Sequence, residues 1–264
     1  MLTPEGYKNR LVEGQLDSYM ESFGAVCIEG PKYCGKTWTA RSRAMSAAFL
    51  GDPANNFQTR TLAKLSPSLV LEGESPHLLD EWQEVPELWD AVRFNVDQDR
   101  KKGKYILTGS ATPSHKGIMH SGTGRIGKIR MDTMSLYETG DSSGEISLLK
   151  LFEGNMSPVL TGEVALTDLI YYVVRGGWPS DVGVSKAACG NTAKEYLRTV
   201  VDDDMFNTDG VQRDVKKVWA LLHSLGRNES TIVTNATLMR DISDSGDERV
   251  DRDTRDDSLN IFNR

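Results

Sequence analysis

The stretch GPKYCGKT, Gly30–Thr37, constrains the fold of this chain more than any other feature. Its residues have the spacing G-x-x-x-x-G-K-[ST]. A short apolar run, Ala25–Glu29, comes directly before it, as expected of a buried parallel strand. Directly after it, Lys36–Ala48 consists mostly of helix formers and contains neither Gly nor Pro. A strand, a glycine-rich turn and a helix in this order predict an α/β fold with a parallel sheet.

The same stretch predicts a phosphate-binding loop, or P-loop, because backbone N–H groups in such a turn converge on phosphate oxygens. Gly30 and Gly35 allow positive φ and close approach of the backbone to a ligand. Lys36 would reach the β- and γ-phosphates, and the Thr37 hydroxyl would ligate Mg²⁺. The alternative is a strand-to-helix turn with a solvated lysine. The residues predicted to contact the nucleotide are Gly30, Pro31, Lys32, Tyr33, Cys34, Gly35, Lys36, Thr37 and Trp38.

Two acids, Asp80 and Glu81, close a short apolar segment that begins at His77. Asp80 follows Lys36 by 44 residues, a distance that suits a strand returning beside the first one. We expect Asp80 to hold Mg²⁺, directly or through water. Glu81 would orient or deprotonate an attacking water, because hydrolysis at neutral pH needs a proton acceptor near the nucleophile. The alternative for this pair is a helix cap at a strand end.

Two further polar residues are predicted to take part in catalysis, Ser110 and Arg125. The next predicted strand, Lys104–Gly109, delivers Ser110 at its carboxyl end, where ligands of parallel sheets bind. There Ser110 could sense the γ-phosphate or position water. Arg125 is available to neutralise transition-state charge in its own subunit or in a neighbouring one. A surface arginine without a catalytic role is an equally open interpretation.

Five segments together resemble a group of prokaryotic AAA+-type ATPases: GPKYCGKTWTA, LLDEWQEVPELWD, YILTGSAT, GRIGKIRMDTMSLYE and RGGWP. These are regulatory P-loop proteins with a winged-helix and nuclease-like C-terminal region. The resemblance runs from Tyr7 to Pro179. It implies a parallel-sheet core, a second acidic motif at Asp80–Glu81, a polar sensor at Ser110 and an arginine finger at Arg125. The finger would act on ATP in an adjacent subunit, so an oligomer is expected. Members usually continue further, so the chain is expected to be truncated, without the nuclease-like part.

We expect three regions along the chain: a P-loop ATPase core at 1–140, a helical lid or linker at 141–206, and an incomplete winged-helix-like region at 207–264.

Two charge blocks bear on nucleic-acid binding. Arg100–Arg130 has eight basic residues and no acid, so phosphate binding competes there with a solvated surface. Asp241–Asp257 has eight acids and three arginines. Because phosphate repels carboxylates, DNA contact by that block is less favoured than protein contact or a structural role.

The bulk composition excludes some classes of protein. A net charge of −7 argues against a protein that coats nucleic acid with its whole surface. The longest apolar run, Leu169–Val174, is too short to span a bilayer, and the N-terminus shows no secretory signal. Cys27, Cys34 and Cys189 have neither metal-ligand nor disulfide spacing. A location in the reducing cytoplasm is therefore expected.

The sequence thus predicts a protein that binds Mg-ATP and hydrolyses it to drive a regulatory change in conformation or assembly. Two alternatives stay open: a non-catalytic, nucleotide-dependent interaction switch, and a P-loop small-molecule kinase. Glu81 and the strand leading to Ser110 favour hydrolysis, because a kinase needs no water-activating carboxylate beside Asp80. The absence of an Asn-Lys-x-Asp run, which reads guanine, favours adenine. The sequence identifies no protein partner.

Overall fold

A computed structural model describes residues 1–110, 118–155, 158–160, 162–205, 211–246 and 249–262; at 110, 203, 204 and 261 it describes the backbone only. The chain divides into two compact units, Met1–Cys189 and Gly190–Arg264. The predicted boundaries at 140 and 206 stay predictions. Among the described residues, no helix combines the length and apolar character needed to cross a membrane.

The first unit is built around five strands: β1 (Ala25–Gly30), β2 (Ser46–Phe49), β3 (His77–Asp80), β4 (Tyr105–Ser110) and β5 (Ile126–Arg130). They form one sheet in the order β2-β3-β4-β1-β5, and every neighbouring pair is parallel. The carboxyl ends of all five strands therefore meet at one edge, called the C-terminal edge below. In such sheets, ligands bind outside this edge.

Both faces of the sheet are buried, as its apolar strands predict. Along β1, Ala25 and Cys27 belong to one core cluster, whereas Val26 and Ile28 belong to the other. Successive side chains of a strand point to opposite faces, so an unbroken apolar run requires a layer of helices on each side. The two clusters provide these layers.

The helices of the first unit supply the two layers. Apolar residues of one helix, among them Leu88, Val92 and Val96, cover one face, and Leu16 and Ala40 from two other helices cover the opposite face. The helices are α1 (Glu13–Ser22), α2 (Lys36–Arg41), α3 (Ala54–Leu65), α4 (Pro67–Val70), α5 (Glu87–Asp99), α6 (Leu136–Thr139), α7 (Leu148–Phe152) and α8 (Leu166–Arg175), with 3₁₀ turns at Trp82–Glu84 and Pro179–Asp181.

The second unit is helical over its described residues. Its core includes Leu221 and Ile242, which are fully buried. A winged helix also contains strands, whereas the described part of this unit consists of helices, turns and irregular segments, so the winged-helix interpretation stays a prediction. The helices are α9 (Asn191–Thr199), which continues into a π-helical turn (Val200–Asp204), α10 (Val215–Arg227), α11 (Asn235–Asp244) and α12 (Arg252–Phe262).

Candidate functional site

The glycine-rich loop connects the carboxyl end of β1 to the first residue of α2, at the C-terminal edge of the sheet. Gly30 leaves no space for a side chain, because an added Cβ would overlap the carbonyl oxygen of Met131. Gly35 has φ +105°, a conformation that side chains disfavour. Both glycines of the motif are therefore required by the backbone.

Lys36, the first residue of α2, lies beneath this loop. Its side chain is nearly buried, with the residue 5% exposed. The ammonium donates to the carbonyl oxygens of Gly30 at 3.0 Å and Pro31 at 2.7 Å. A positive charge is thus held against the backbone of the loop. A charge in this position can neutralise a phosphate that the loop N–H groups bind.

Three oxygen-bearing side chains meet beside the loop. Thr37 Oγ1 donates to Asp80 Oδ1 over 2.7 Å, and Thr108 Oγ1 donates to the same oxygen over 2.6 Å. Thr37 comes from α2, Asp80 is the last residue of β3, and Thr108 lies opposite Asp80 on β4. The described residues contain no group of three or more His, Cys, Asp or Glu side chains suited to a metal ion. A hydroxyl and a carboxylate are nevertheless the donors that Mg²⁺ uses together with phosphates and water.

Glu81 follows Asp80 in a left-handed backbone conformation, with φ 57°. Positive φ is uncommon for a residue other than glycine, and such positions cluster at functional sites. The backbone N–H of Glu81 donates to Thr108 Oγ1 over 3.3 Å. Its carboxylate accepts a hydrogen bond from the side-chain amide of Gln83. The turn thus directs Glu81 out of the strand and gives its carboxylate a fixed partner.

The structure brings Ser110 to the same edge but places Arg125 elsewhere. Ser110 ends β4 opposite Gly30, and its side chain lies outside the described part of the chain. The Arg125 carbonyl accepts from the N–H of Ala25, so Arg125 lies at the amino-terminal edge. The two edges are five residue-to-residue steps apart along β1, from Ala25 to Gly30, which is about 17 Å. Arg125 Nε pairs with Asp97 at 2.8 Å.

The other predicted loop residues differ in exposure. Tyr33 and Trp38 are exposed, whereas Cys34 is fully buried and directs its thiol to the carbonyl of Met131 at 3.5 Å. Burial raises the pKa of the Cys34 thiol, which keeps it protonated. Lys32 is exposed.

Sequence reasoning missed three residues of this site: Arg10, Gln83 and Thr108. Thr108 left a signal, because it is the polar residue in the otherwise apolar run YILTG. For Gln83 the sequence gives a weaker indication, which is its position two residues after Glu81. Arg10 left none, since it lies in the chain well before β1, yet its side chain contacts the loop.

Residues 22–140 match the protein family described as "AAA domain". This segment holds all five strands, the loop, Asp80 and Arg125. An uncharacterized protein of Mycobacterium tuberculosis and one of Mycobacterium bovis are each 29% identical to this chain over 139 residues. Each alignment covers 52% of this chain and 30% of the relative. The match therefore spans less than a third of the relatives' length.

Similar solved structures include the Walker-type ATPase PABY2304 of Pyrococcus abyssi, with 14% identity and a TM-score of 0.48, covering 99% of this chain and 91% of that one. A variant of RuvB from Thermotoga maritima has 15% identity and a TM-score of 0.40, with the same two coverages of 99% and 91%. The predicted α/β fold, a parallel sheet with a P-loop at its C-terminal edge, is confirmed by the strand order and the loop geometry. The AAA domain match covers this region of the chain.

Proposed function

We propose that this chain binds ATP with Mg²⁺ at the C-terminal edge of the sheet and hydrolyses it to drive a change in conformation or assembly. One observation carries the proposal: the Thr37 hydroxyl and the Asp80 carboxylate are hydrogen-bonded beside the loop that Lys36 supports. A P-loop needs this combination of an ammonium, a hydroxyl and a carboxylate.

The residues present fit Mg²⁺. Thr37 and Asp80 would hold it, because both offer oxygen ligands and lie side by side. Held there, Mg²⁺ would supply positive charge that offsets the negative charge of the phosphates. Lys36 would bind the β- and γ-phosphates, and the backbone of the loop would orient the triphosphate.

Glu81 is the proposed proton acceptor for the attacking water. Its place directly after Asp80 puts a carboxylate next to the proposed ion ligand, and the left-handed turn directs it away from the strand. Ser110 would sense the γ-phosphate, since β4 ends beside β1. The proposed hydrolytic groups therefore follow β3 and end β4, whereas the groups that would hold the phosphates belong to the loop after β1 and to α2.

A second candidate function is a nucleotide-dependent switch without turnover. The contact between Gln83 and the Glu81 carboxylate favours it, because a carboxylate oxygen that already accepts a hydrogen bond is less available to a water molecule. A small-molecule kinase is less well supported. Kinases use lid arginines, and Arg175 is instead buried in an ion pair with Asp141 at 2.8 Å.

The proposed assembly is a homo-oligomer. Arg125 lies about 17 Å along the sheet from its own loop, so it can reach only a neighbour's nucleotide. DNA contact is not part of the proposal. The three cysteines are unpaired and buried, which supports the cytoplasm as the proposed location.

The test compares ATP binding and turnover in the wild type, Glu81→Gln and Glu84→Gln. Glu84 is a matched control, because it lies in the same short turn and pairs with Arg60 on the surface. We expect Glu81→Gln to bind Mg-ATP like the wild type and to lose about a hundredfold or more in turnover. Glu84→Gln should retain both.

Binding itself is tested with Lys36→Ala, measured by calorimetric titration of Mg-ADP. Loss of binding is expected, because the Lys36 ammonium is the charge that would meet the β- and γ-phosphates. A Lys36→Ala variant that binds as tightly as the wild type would refute a phosphate site here. Wild-type binding without turnover would leave the switch as the function.

A further inference from the structure

The side chain of Arg10 connects the P-loop to two other parts of the chain. Arg10 is 7% exposed and precedes α1. One guanidinium nitrogen donates to the Cys34 carbonyl over 2.7 Å, and the other donates to the Asp132 carbonyl over 2.9 Å. Nε pairs with Glu138 at 2.9 Å. An arginine with three partners in such fixed positions is held in one conformation.

The contact with Cys34 acts on the loop through a single peptide plane. The carbonyl of Cys34 and the N–H of Gly35 belong to the same trans peptide, so they point in opposite directions. A hydrogen bond that fixes the carbonyl on the Arg10 side also fixes the Gly35 N–H on the other side. Gly35 is the second glycine of the motif, and its N–H belongs to the loop donors that hold phosphate.

The packing around Gly35 supports this connection. An added Cβ on Gly35 would lie 3.2 Å from the Arg10 guanidinium, so the glycine lets the arginine approach the loop. The alternative is that Arg10 only stabilises the packing of the N-terminal segment against the core. That alternative predicts lost stability but unchanged ligand affinity.

The ion pair with Glu138 offsets the free-energy cost of burying the Arg10 charge. The Glu138 carboxylate also accepts from the backbone N–H groups of Leu11 and Ser135, each at 2.7 Å. The pKa of Glu138 is lowered: burial opposes the shift, and these N–H donors together with Arg10 outweigh it. Glu138 thus stays charged and holds the guanidinium of Arg10 beside the loop.

We propose that Arg10 is a positioning residue that orients the Gly35 N–H toward phosphate and so sets nucleotide affinity. This inference rests on the proposed function of the loop. The Arg10 side chain contacts the loop at the Cys34 carbonyl, and it acts on phosphate through the loop backbone alone.

The test measures the dissociation constant of Mg-ADP and the melting temperature for the wild type, Arg10→Ala, Arg10→Lys and Arg43→Ala. Arg43 is the matched control, because it also ties α1 to the chain, through Asp17 at 2.7 Å and Glu13 at 2.9 Å, without touching the loop. We expect Arg10→Ala to weaken Mg-ADP binding about tenfold or more, and Arg43→Ala to keep it within about twofold.

Arg10→Lys keeps the charge but has a single nitrogen in place of the fork, so it cannot serve three acceptors in fixed directions. It should also bind Mg-ADP several-fold more weakly, and it decides the test if Arg10→Ala does not fold. Affinity within about twofold of the wild type in both Arg10 variants would overturn the inference. So would an equal loss in Arg43→Ala, which would mean general loosening of α1. A wild type that binds no nucleotide would instead refute the proposed function on which the inference rests.

Discussion

Thr37 donates its hydroxyl hydrogen to Asp80 across 2.7 Å, although 43 residues separate the two in the chain. The parallel sheet produces this contact. β1 leads to Thr37 through the loop, β4 lies beside β1, and β3, which ends at Asp80, lies beside β4. Thr108 on β4 fills the space between them and donates to the same carboxylate oxygen. The geometry at the C-terminal edge is therefore set by strand order.

Asp80→Asn should abolish the dependence of nucleotide affinity on Mg²⁺. The amide keeps the size of the side chain but removes the charge that a divalent cation requires. Nucleotide affinity measured with and without Mg²⁺ checks this, and turnover should fall about a hundredfold or more. Thr108→Val is the control for Mg²⁺ dependence, because it leaves the Asp80 carboxylate while removing the hydrogen bond to Asp80 and the one from the Glu81 N–H, at a cost of about 1–3 kcal/mol of stability. An Asp80→Asn variant that still responds to Mg²⁺ would contradict the assignment.

Gly30→Ala should destabilise the first unit and weaken nucleotide binding. The added Cβ would overlap the Met131 carbonyl oxygen, so the end of β1 must shift, at a cost of about 1–3 kcal/mol. Urea unfolding measures the cost. Gly14→Ala is the control: it lies in α1 with no atom within 4 Å of an added Cβ, and it should stabilise by about 0.5–1 kcal/mol. Equal effects of the two variants would argue against close packing at Gly30.

Helices and strands that are determined by residues close together in the chain could be predicted from the sequence. The spacing of Leu88, Val92 and Val96 predicts a helix over Glu87–Asp99, and α5 has those bounds. Helix formers in Lys36–Ala48 predict a longer α2, and the apolar run Ala47–Gly51 is a candidate second strand. In the structure α2 ends at Arg41, and β2 is Ser46–Phe49. Pairing with β3 accounts for the difference, because a parallel partner stabilises a strand where residue preference alone is weak.

The candidate site was predictable where one short motif carried it and unpredictable where distant segments meet. Lys36, Thr37 and Asp80 were predicted, and the structure brings them together. Arg10 could not be predicted, since its partners Asp132 and Glu138 are joined to it only by the fold. A buried arginine on a loop carbonyl leaves no spacing in the sequence that could reveal it.

Stability of the first unit should fall as pH falls below about 6.5, through His77. Burial lowers the pKa of His77 below its ordinary value of 6.5, and a hydrogen bond to the Val70 carbonyl opposes the shift. The unfolded chain then binds the extra proton more readily than the folded one, so acid favours unfolding. Urea unfolding between about pH 7 and pH 5 measures the loss, before most carboxylates titrate.

His77→Gln is the matched variant for this pH dependence, because glutamine can hydrogen-bond to Val70 and does not take up a proton in this range. Its stability should be lower at neutral pH but should fall less between pH 7 and pH 5. A slope equal to that of the wild type would mean that another group titrates in this window.

Arg125→Ala should remove ATP turnover without changing ATP affinity, because Arg125 cannot reach the loop of its own chain. Turnover per chain should rise with wild-type concentration as neighbours associate. Arg93→Ala is the control, since Arg93 also pairs with Asp97, at 3.2 Å.

The decisive measurement mixes Arg125→Ala with Lys36→Ala, each inactive alone. The intact loop of the first chain can then receive Arg125 from the second, so the mixture should regain turnover. Concentration-independent turnover, or a mixture that stays inactive beside an active Arg93→Ala, would refute the role of Arg125 between chains.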